Sequence, residues 1–520
     1  MATQSIIIDN ILSGLSDSDY FAKKGSYTDG YGIDIDFPVT DGATDKKPSG
    51  YIRPTALAKF TGSAITGAPM WIETNPKTET TYVYDTGGIV YTMSSALTSA
   101  SSFATLATAS GNGMAYFDNY IYCSKNADIA RIGPLNGAPA TTTNYWTGTL
   151  ALAALTNTTY PTLRGVQIPN HPMHRHTDGK LYIGDVLSNT TVNTNKGALH
   201  YIRTSKTTVE GDTNNGSSYN ALDLGYGYYP TCIESWNTDL VVAGIEGVGT
   251  TIQEQRGFIT FWDTTSSSFQ KLIQVEFPDP LITAMKNVNG ILYVWSGSAQ
   301  GGCRLSRLVG NYTFEEIFYD NDSLPPFQGA VDHTMGRIVW GHFMVDPESV
   351  VDVMAHGSKI SGFSNGPHSI LKTTSAGTNG NVTSLKYVQQ GSTTKSPIVG
   401  WKDDSSQGID KLTTTYATSL WRSAVYKIGK PFVIKKIEIP LGQAVGANMT
   451  VTPKIFVDEF TNSQTLTIIN STNYPNQEKN IVQYPNTSGS HSFSLELKFT
   501  GAALCAVGFP INITVETKEQ

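Results

Sequence analysis

Three of the chain's nine histidines fall within six residues: His171, His174 and His176, in the stretch PNHPMHRHTDGKLY from Pro169 to Tyr182. Imidazole ligates metals, carries protons near neutral pH and changes charge with small changes in its surroundings. On an extended strand, positions i and i+2 share a face, so His174 and His176 point the same way and could bind a metal with a third ligand from elsewhere. His171 has the opposite parity unless Pro172 bends the chain. No second cluster of His, Asp or Glu supplies an obvious third ligand. His174 and His176 are therefore weak metal candidates. The plainer reading makes all three strand and turn residues that cap carbonyls or face an interface, or that form a contact sensitive to pH.

Other chemistry is thinner. Neighbouring acids occur at Asp34/Asp36, Glu315/Glu316, Asp320/Asp322 and Asp403/Asp404. A glycosidase needs two carboxyls on opposite sides of one bond, which linear neighbours do not provide, so these read as turn acids. Asp17-Ser-Asp19 and Asp320-Asn-Asp322 begin like calcium loops but lack the Gly and Glu that complete one. There is no repeated Ser-x-Asp-x-Gly-x-x-Trp turn. Cys123, Cys232, Cys303 and Cys505 lie far apart and suggest neither a zinc ribbon nor a disulfide framework. The pattern points to no enzyme, no catalytic residue and no cofactor.

The elements that must position these residues are strands. In 520 residues only 15% are charged, and Gly, Thr, Ser and Asn fill much of the rest. Such a composition suits many short strands joined by polar turns, not long amphipathic helices. A net charge of −7 argues against a surface that coats nucleic acid. It does not exclude a conduit, since an acidic wall repels phosphates instead of trapping them. The start, MATQSIIIDNIL, does not read as a signal peptide, and no apolar stretch is long enough to span a membrane.

A turn pair followed by an apolar run recurs: Gly87-Gly88 before Ile89–Tyr91, Asp118-Asn119 before Tyr120–Tyr122, Asp178-Gly179 before Lys180–Tyr182, Thr238-Asp239 before Leu240–Val242, Asn289-Gly290 before Ile291–Tyr293, and Met335-Gly336 before Arg337–Val339. Asn-Gly and Asp-Gly supply the positive φ angles of tight hairpins. Most of the spacings approach the ~40–50 residues of a four-stranded propeller blade. The shortest, between the first two copies, does not. Residues 51–415 therefore read as a β-propeller of about six or seven blades. Residues 1–50, short-range and acidic, read as an N-terminal arm. In residues 416–520, Phe493, Leu495, Leu497 and Phe499 alternate with polar residues, as do Ile511, Ile513 and Val515. This predicts a C-terminal antiparallel β-sandwich. The fold class is all-β.

The phrases GLSDSDYFAKKGSYTDGYGIDIDF, GNGMAYFDNYIYCSKNADIARIGPL, KPFVIKKIEIPLG and GFPINITVE resemble virion proteins of tailed bacteriophages, which carry a β-propeller and a β-sandwich. The nozzle proteins of short-tailed phages share that plan. The resemblance implies a structural subunit of the virion tail, assembled in the host cytoplasm. It would form a homo-oligomeric ring, contact other tail proteins, and surround the DNA exit path without binding DNA specifically. The rival expectation is a propeller that binds or cleaves host glycans during attachment.

Overall fold

Strands that leave a tight turn with an unbroken apolar run are covered on both faces, and here the cover comes from other strands. A computed structural model describes residues 2–9, 11–16, 24–35, 51–55, 57–59, 65–106, 113–125, 128–146, 171–189, 194–204, 222–246, 256–265, 273–298, 301–310, 312–344, 352–358, 366–372, 380–389, 395–412, 418–443, 445–458, 460, 462–475, 480–487, 489–501 and 505–517. Among these residues there is no α-helix, only β-strands and short 3-10 turns such as Gln328–Ala330.

Seven four-stranded antiparallel sheets follow one another along the chain. Their first strands are Pro69–Thr74, Met114–Phe117, Met173–Arg175, Tyr228–Trp236, Leu281–Val288, Val331–Thr334 and Asn381–Val388. Each touches the first strand of the next sheet, and Asn381–Val388 returns to Pro69–Thr74. The ring is closed, and the chain forms a seven-bladed β-propeller. Blade 7 draws on distant segments: Asn381–Val388, Ser396–Lys402 and Gln407–Leu412 are completed by Leu57–Lys59, with Leu412 opposite Leu57 and Asp410 opposite Lys59. The chain thus enters and leaves the propeller side by side.

The core follows from this geometry. Sheet faces pack on sheet faces, so apolar side chains collect in wedges between blades. Tyr84 and Val90 of blade 1 meet Met114 and Ile121 of blade 2. Leu199 of blade 3 meets Leu240 and Phe258 of blade 4. Trp295 of blade 5 lies 5.9 Å from Trp340 of blade 6, ring centre to ring centre.

The hairpin signals locate the turns, with two adjustments. Asn289 and Gly290 adopt φ 53° and 84°, and Asp118 and Asn119 adopt 44° and 69°, as a tight primed turn requires. In blade 4 the left-handed residue is Asn237, one position ahead of the expected pair. Gly87-Gly88 joins the second and third strands of blade 1, whereas the other five pairs lie at the turn between first and second strands. That displacement explains the short first spacing, because second strands begin at Thr81, Tyr120, Lys180, Asp239, Ile291, Arg337 and Ser396.

Strands from both ends of the chain build a separate 13-stranded sheet. Ala2–Ile8 pairs along its whole length with Ile511–Thr517, which pairs in turn with Tyr426–Gln443. Ser26–Tyr31 pairs with Ser419–Ser423, and Met449–Val457 pairs with Ser490–Gly501. One core joins Ile8, Tyr27 and Ile33 to Trp421, Phe493 and Ile513. Ile511–Thr517 alternates buried and half-buried residues, as its sequence predicts, and Met449–Val457 does the same. Ser490–Gly501 does not, because Ser492, Ser494 and Glu496 are buried along with Phe493, Leu495 and Leu497. The Arg422 guanidinium reaches across that second face to Glu496 Oε2, 2.5 Å from Nη2, and to Asp29 Oδ2, 3.2 Å from Nη1.

The sheet meets the propeller at blade 6. Gly366 N donates to Leu12 O (2.7 Å), Leu15 N to Pro367 O (2.5 Å) and Gly32 N to Ser369 Oγ (3.2 Å), and Thr55 Oγ1 donates to Ile370 O. Buried Arg337 of the same blade brings Nη1 to 3.7 Å from Asp34 Oδ1.

Candidate functional site: the axial channel

Seven first strands around one axis enclose a channel, and the side chains that face it are fixed by strand parity. The channel holds a cavity of about 310 Å3 to which every blade contributes. Its charged and imidazole side chains come from Glu73 of blade 1, His174 and Arg175 of blade 3, Glu234 of blade 4, Lys286 of blade 5, Asp332 of blade 6 and Lys386 of blade 7, with Ala115 on blade 2. From blade 4 round to blade 1 the signs alternate: Glu234, Lys286, Asp332, Lys386, Glu73. Lys286 Nζ lies 3.8 Å from Asp332 Oδ1, and Lys386 Nζ lies 2.9 Å from Glu73 Oε1.

This belt sets its own protonation. Burial works against the Asp332 carboxylate, but nearby His333, Lys286 and Lys386 and the Tyr387 amide (2.7 Å) hold it well below the usual carboxylate range. Burial likewise works against the Lys286 ammonium, and Glu234, Asp332 and Glu73 together carry its pKa above the ordinary lysine value. Both groups are charged at neutral pH.

The three histidines separate. Met173–Arg175 directs His174 and the following His176 towards blade 4, where both rings meet one hydroxyl. His174 Nε2 lies 2.7 Å and His176 Nδ1 2.8 Å from Ser235 Oγ. The other His176 nitrogen, Nε2, lies 3.1 Å from the Thr238 carbonyl, which can only accept. A neutral His176 therefore donates from Nε2 and accepts at Nδ1. Ser235 O–H donates to His176, and His174 Nε2–H donates to Ser235. Glu234 Oε1 lies 3.5 Å from His174 Nε2. Burial lowers the His174 pKa, Glu234 opposes that only in part, and Lys286 and His176 add to the lowering. His171 goes elsewhere: it is buried, with Nδ1 3.2 Å from Gly184 O and 3.7 Å from Asp185 Oδ1. His200 Nε2 approaches the same carboxylate at 3.3 Å.

Chemically, this is a chain of hydrogen bonds across a blade junction. A serine beside an imidazole has the composition of a nucleophile and its base, but here the single hydroxyl proton and an oxygen lone pair are both engaged by histidines. Among the described residues, no group of three or more His, Cys, Asp or Glu is arranged to hold a metal. His174→Gln with His176→Gln is expected to cost about 1–2 kcal/mol, the scale of one or two partly buried hydrogen bonds. Urea denaturation followed by tryptophan fluorescence measures it.

The neighbouring acids do not converge. Arg307 Nη2 lies 2.8 Å from Glu315 Oε2, and Arg304 pairs with Glu316. Asp403 caps its own turn through the Ser405 amide at 2.8 Å. Asp320 binds His342 of blade 6 (Oδ2 to Nε2, 3.1 Å). Asp17, Asp19 and Asp36 lie outside the described residues. Motif reading passed over Glu73, Glu234, Lys286, Asp332 and Lys386, although a signal exists. Ala115, Glu234, Lys286 and Asp332 stand three positions before the left-handed turn residues Asp118, Asn237, Asn289 and Met335.

No family model matches the chain, and no curated protein matches it. Two solved structures are similar in part. The computationally designed Ika8 protein aligns at 9% identity and a TM-score of 0.37, over 69% of this chain and 99% of that one. The RRP9 WD40 repeats align at 10% identity and a TM-score of 0.39, over 68% and 96%. Likeness at this level carries no functional argument.

Proposed function

We propose that the protein is a structural subunit of a phage-type virion tail, acting by assembly and not by catalysis. The observation that supports this reading is the axial channel, whose facing charges neutralise one another around the ring. A self-paired belt presents little unspent charge to a substrate. It also leaves the propeller's own axis unsuited to polyanion passage, so a DNA path would run through the lumen of a ring of copies. In this reading the 13-stranded sheet is the C-terminal sandwich, completed by N-terminal strands. It offers surfaces to sister copies and to other tail proteins, with assembly in the host cytoplasm. Negative-stain electron microscopy of the purified full chain tests the proposal. Closed rings are expected, and particles that remain single at all concentrations overturn it.

One cleft favours a second reading, glycan binding for host attachment. Between blades 4 and 5 a space of about 360 Å3 is lined by Phe277, Tyr312, Phe314, Arg304 and Glu316. The Phe277 and Phe314 rings meet at 4.9 Å. Aromatic faces beside an ion pair suit a sugar ring. Saturation-transfer NMR against a panel of oligosaccharides decides it: transfer abolished by Tyr312→Ala supports this reading, and no transfer removes it.

A further inference from the structure

We propose that the N-terminal strand Ala2–Ile8 is a docking edge for the same strand of a second copy of this chain. The strand reads ATQSIII and pairs on one side with Ile511–Thr517, from Ala2 opposite Thr517 to Ile8 opposite Ile511. No described strand pairs with its other side. Ile8 is buried and Ile6 packs on the sheet's core, which anchors the strand. Ala2, Thr3, Gln4, Ser5 and Ile7 are exposed, Ile7 to 47%.

An open sheet edge is a row of unspent amides and carbonyls. Folded proteins blunt such edges with lysine, proline, bulges, short length or a covering segment. Ala2–Ile8 has none of the first three: its seven residues include no charge, no Pro and no Gly, and the register with Ile511–Thr517 runs without a bulge. Other ends of the same sheet are treated differently. Asn462–Thr465 is four residues long, and Ile33–Asp34 is two residues long and lies against the outer strand of blade 6.

The chemistry selects the occupant. With no charge on the strand, nothing attracts a charged segment, and the adjacent Asp9 is already held by Lys24 at 2.5 Å. An antiparallel copy centred on Ser5 sets Ser5 against Ser5, Gln4 against Ile6 and Thr3 against Ile7. No like charges meet, and the Thr3–Ile7 pair is β-branched on both sides, a favourable cross-strand match. The contact is two-fold and isologous. One strand pair alone falls short of the roughly 1,200 Å2 of a stable interface, so the dimer is weak and depends on concentration. The inference stands apart from the tail proposal: a two-fold contact closes on itself, and a ring would need another surface.

Sedimentation velocity of the full chain over a concentration series, with three variants, tests it. Ile7→Lys is expected to weaken association by at least about tenfold at an unchanged melting temperature. Ser5→Cys places two thiols across the two-fold with Cα atoms about 4.5–5.5 Å apart, within disulfide reach. The four native cysteines are buried, so mild oxidation reports on the introduced thiol. Covalent dimers are expected for Ser5→Cys and not for Tyr484→Cys, a site that is 75% exposed just past the strand Asn480–Gln483. A chain that stays monomeric throughout, association indifferent to Ile7→Lys, or cross-linking equal in the two cysteine variants would each overturn the proposal.

Discussion

Between about pH 7 and about pH 8.5, the stability advantage of the native chain over a His342→Gln variant is expected to shrink by about 2 kcal/mol. His342 sits between two carboxylates at the junction of blades 5 and 6. Its Nδ1 lies 2.9 Å from Asp352 Oδ1 and its Nε2 3.1 Å from Asp320 Oδ2. Burial alone would lower the imidazole pKa. The Asp352 charge and hydrogen bonds to both carboxylates overcome this and push it up to about 10. Asp320 is lowered in return, through its bond to His342. A histidine raised in the folded state stabilises fully below its unfolded value of about 6.5, and that contribution fades at about 1.4 kcal/mol per pH unit as pH climbs towards the folded value. Near neutrality, then, the clamp still supplies most of its effect, and glutamine leaves two buried carboxylates uncompensated. Calorimetry of both chains at the two pH values measures the difference. The buried thiols and the lowered histidines His174 and His356 are common to both chains and cancel. A gap constant with pH would mean that His342 is not held protonated.

The second large effect lies in the channel. Lys286→Met is expected to lower propeller stability by about 3 kcal/mol, the cost of stranding charge after one member of a buried network is removed. Lys286 is the cation between Glu234 and Asp332, whose side chains are 9% and 11% exposed. Lys386 still acts on Asp332 but is already 2.9 Å from Glu73, so it offsets the loss only in part. Adding Glu234→Gln to Lys286→Met should recover part of the loss, because one acid of the unbalanced set is then neutral. Urea midpoints of the single and double variants measure this, and an additive result would show that the belt is not one network.

How much of this was written in the sequence depends on the range of each interaction. Local turn chemistry placed the hairpins, because Asn-Gly and Asp-Gly dictate backbone angles without help from the rest of the chain. Alternation of Ile511, Ile513 and Val515 gave a half-buried strand for the same reason. The pairing of Ala2–Ile8 with Ile511–Thr517 was not legible, since any apolar strand could pair with any other and the choice is made by tertiary packing. Leu57–Lys59, the fourth strand of blade 7, is three residues long and carries no periodic signal. The histidines attracted attention through their rarity, yet the charged belt is built from residues that look unremarkable one by one. Glu234 and Lys286 acquire meaning only when the ring brings neighbouring blades together. Parity correctly put His174 and His176 on one side, but Ser235, the group they share, lies on the next blade.

The latch of blade 7 also has a mechanical character. Leu57, where the chain enters, stands opposite Leu412, close to where it leaves. Forces that draw the entering and leaving segments away from each other act on the same end of both strands. The rungs from Leu412–Leu57 to Asp410–Lys59 then load in succession instead of together. Force would peel that seam like a zip, and the propeller would yield there before the wedges of apolar side chains between its other blades felt the load.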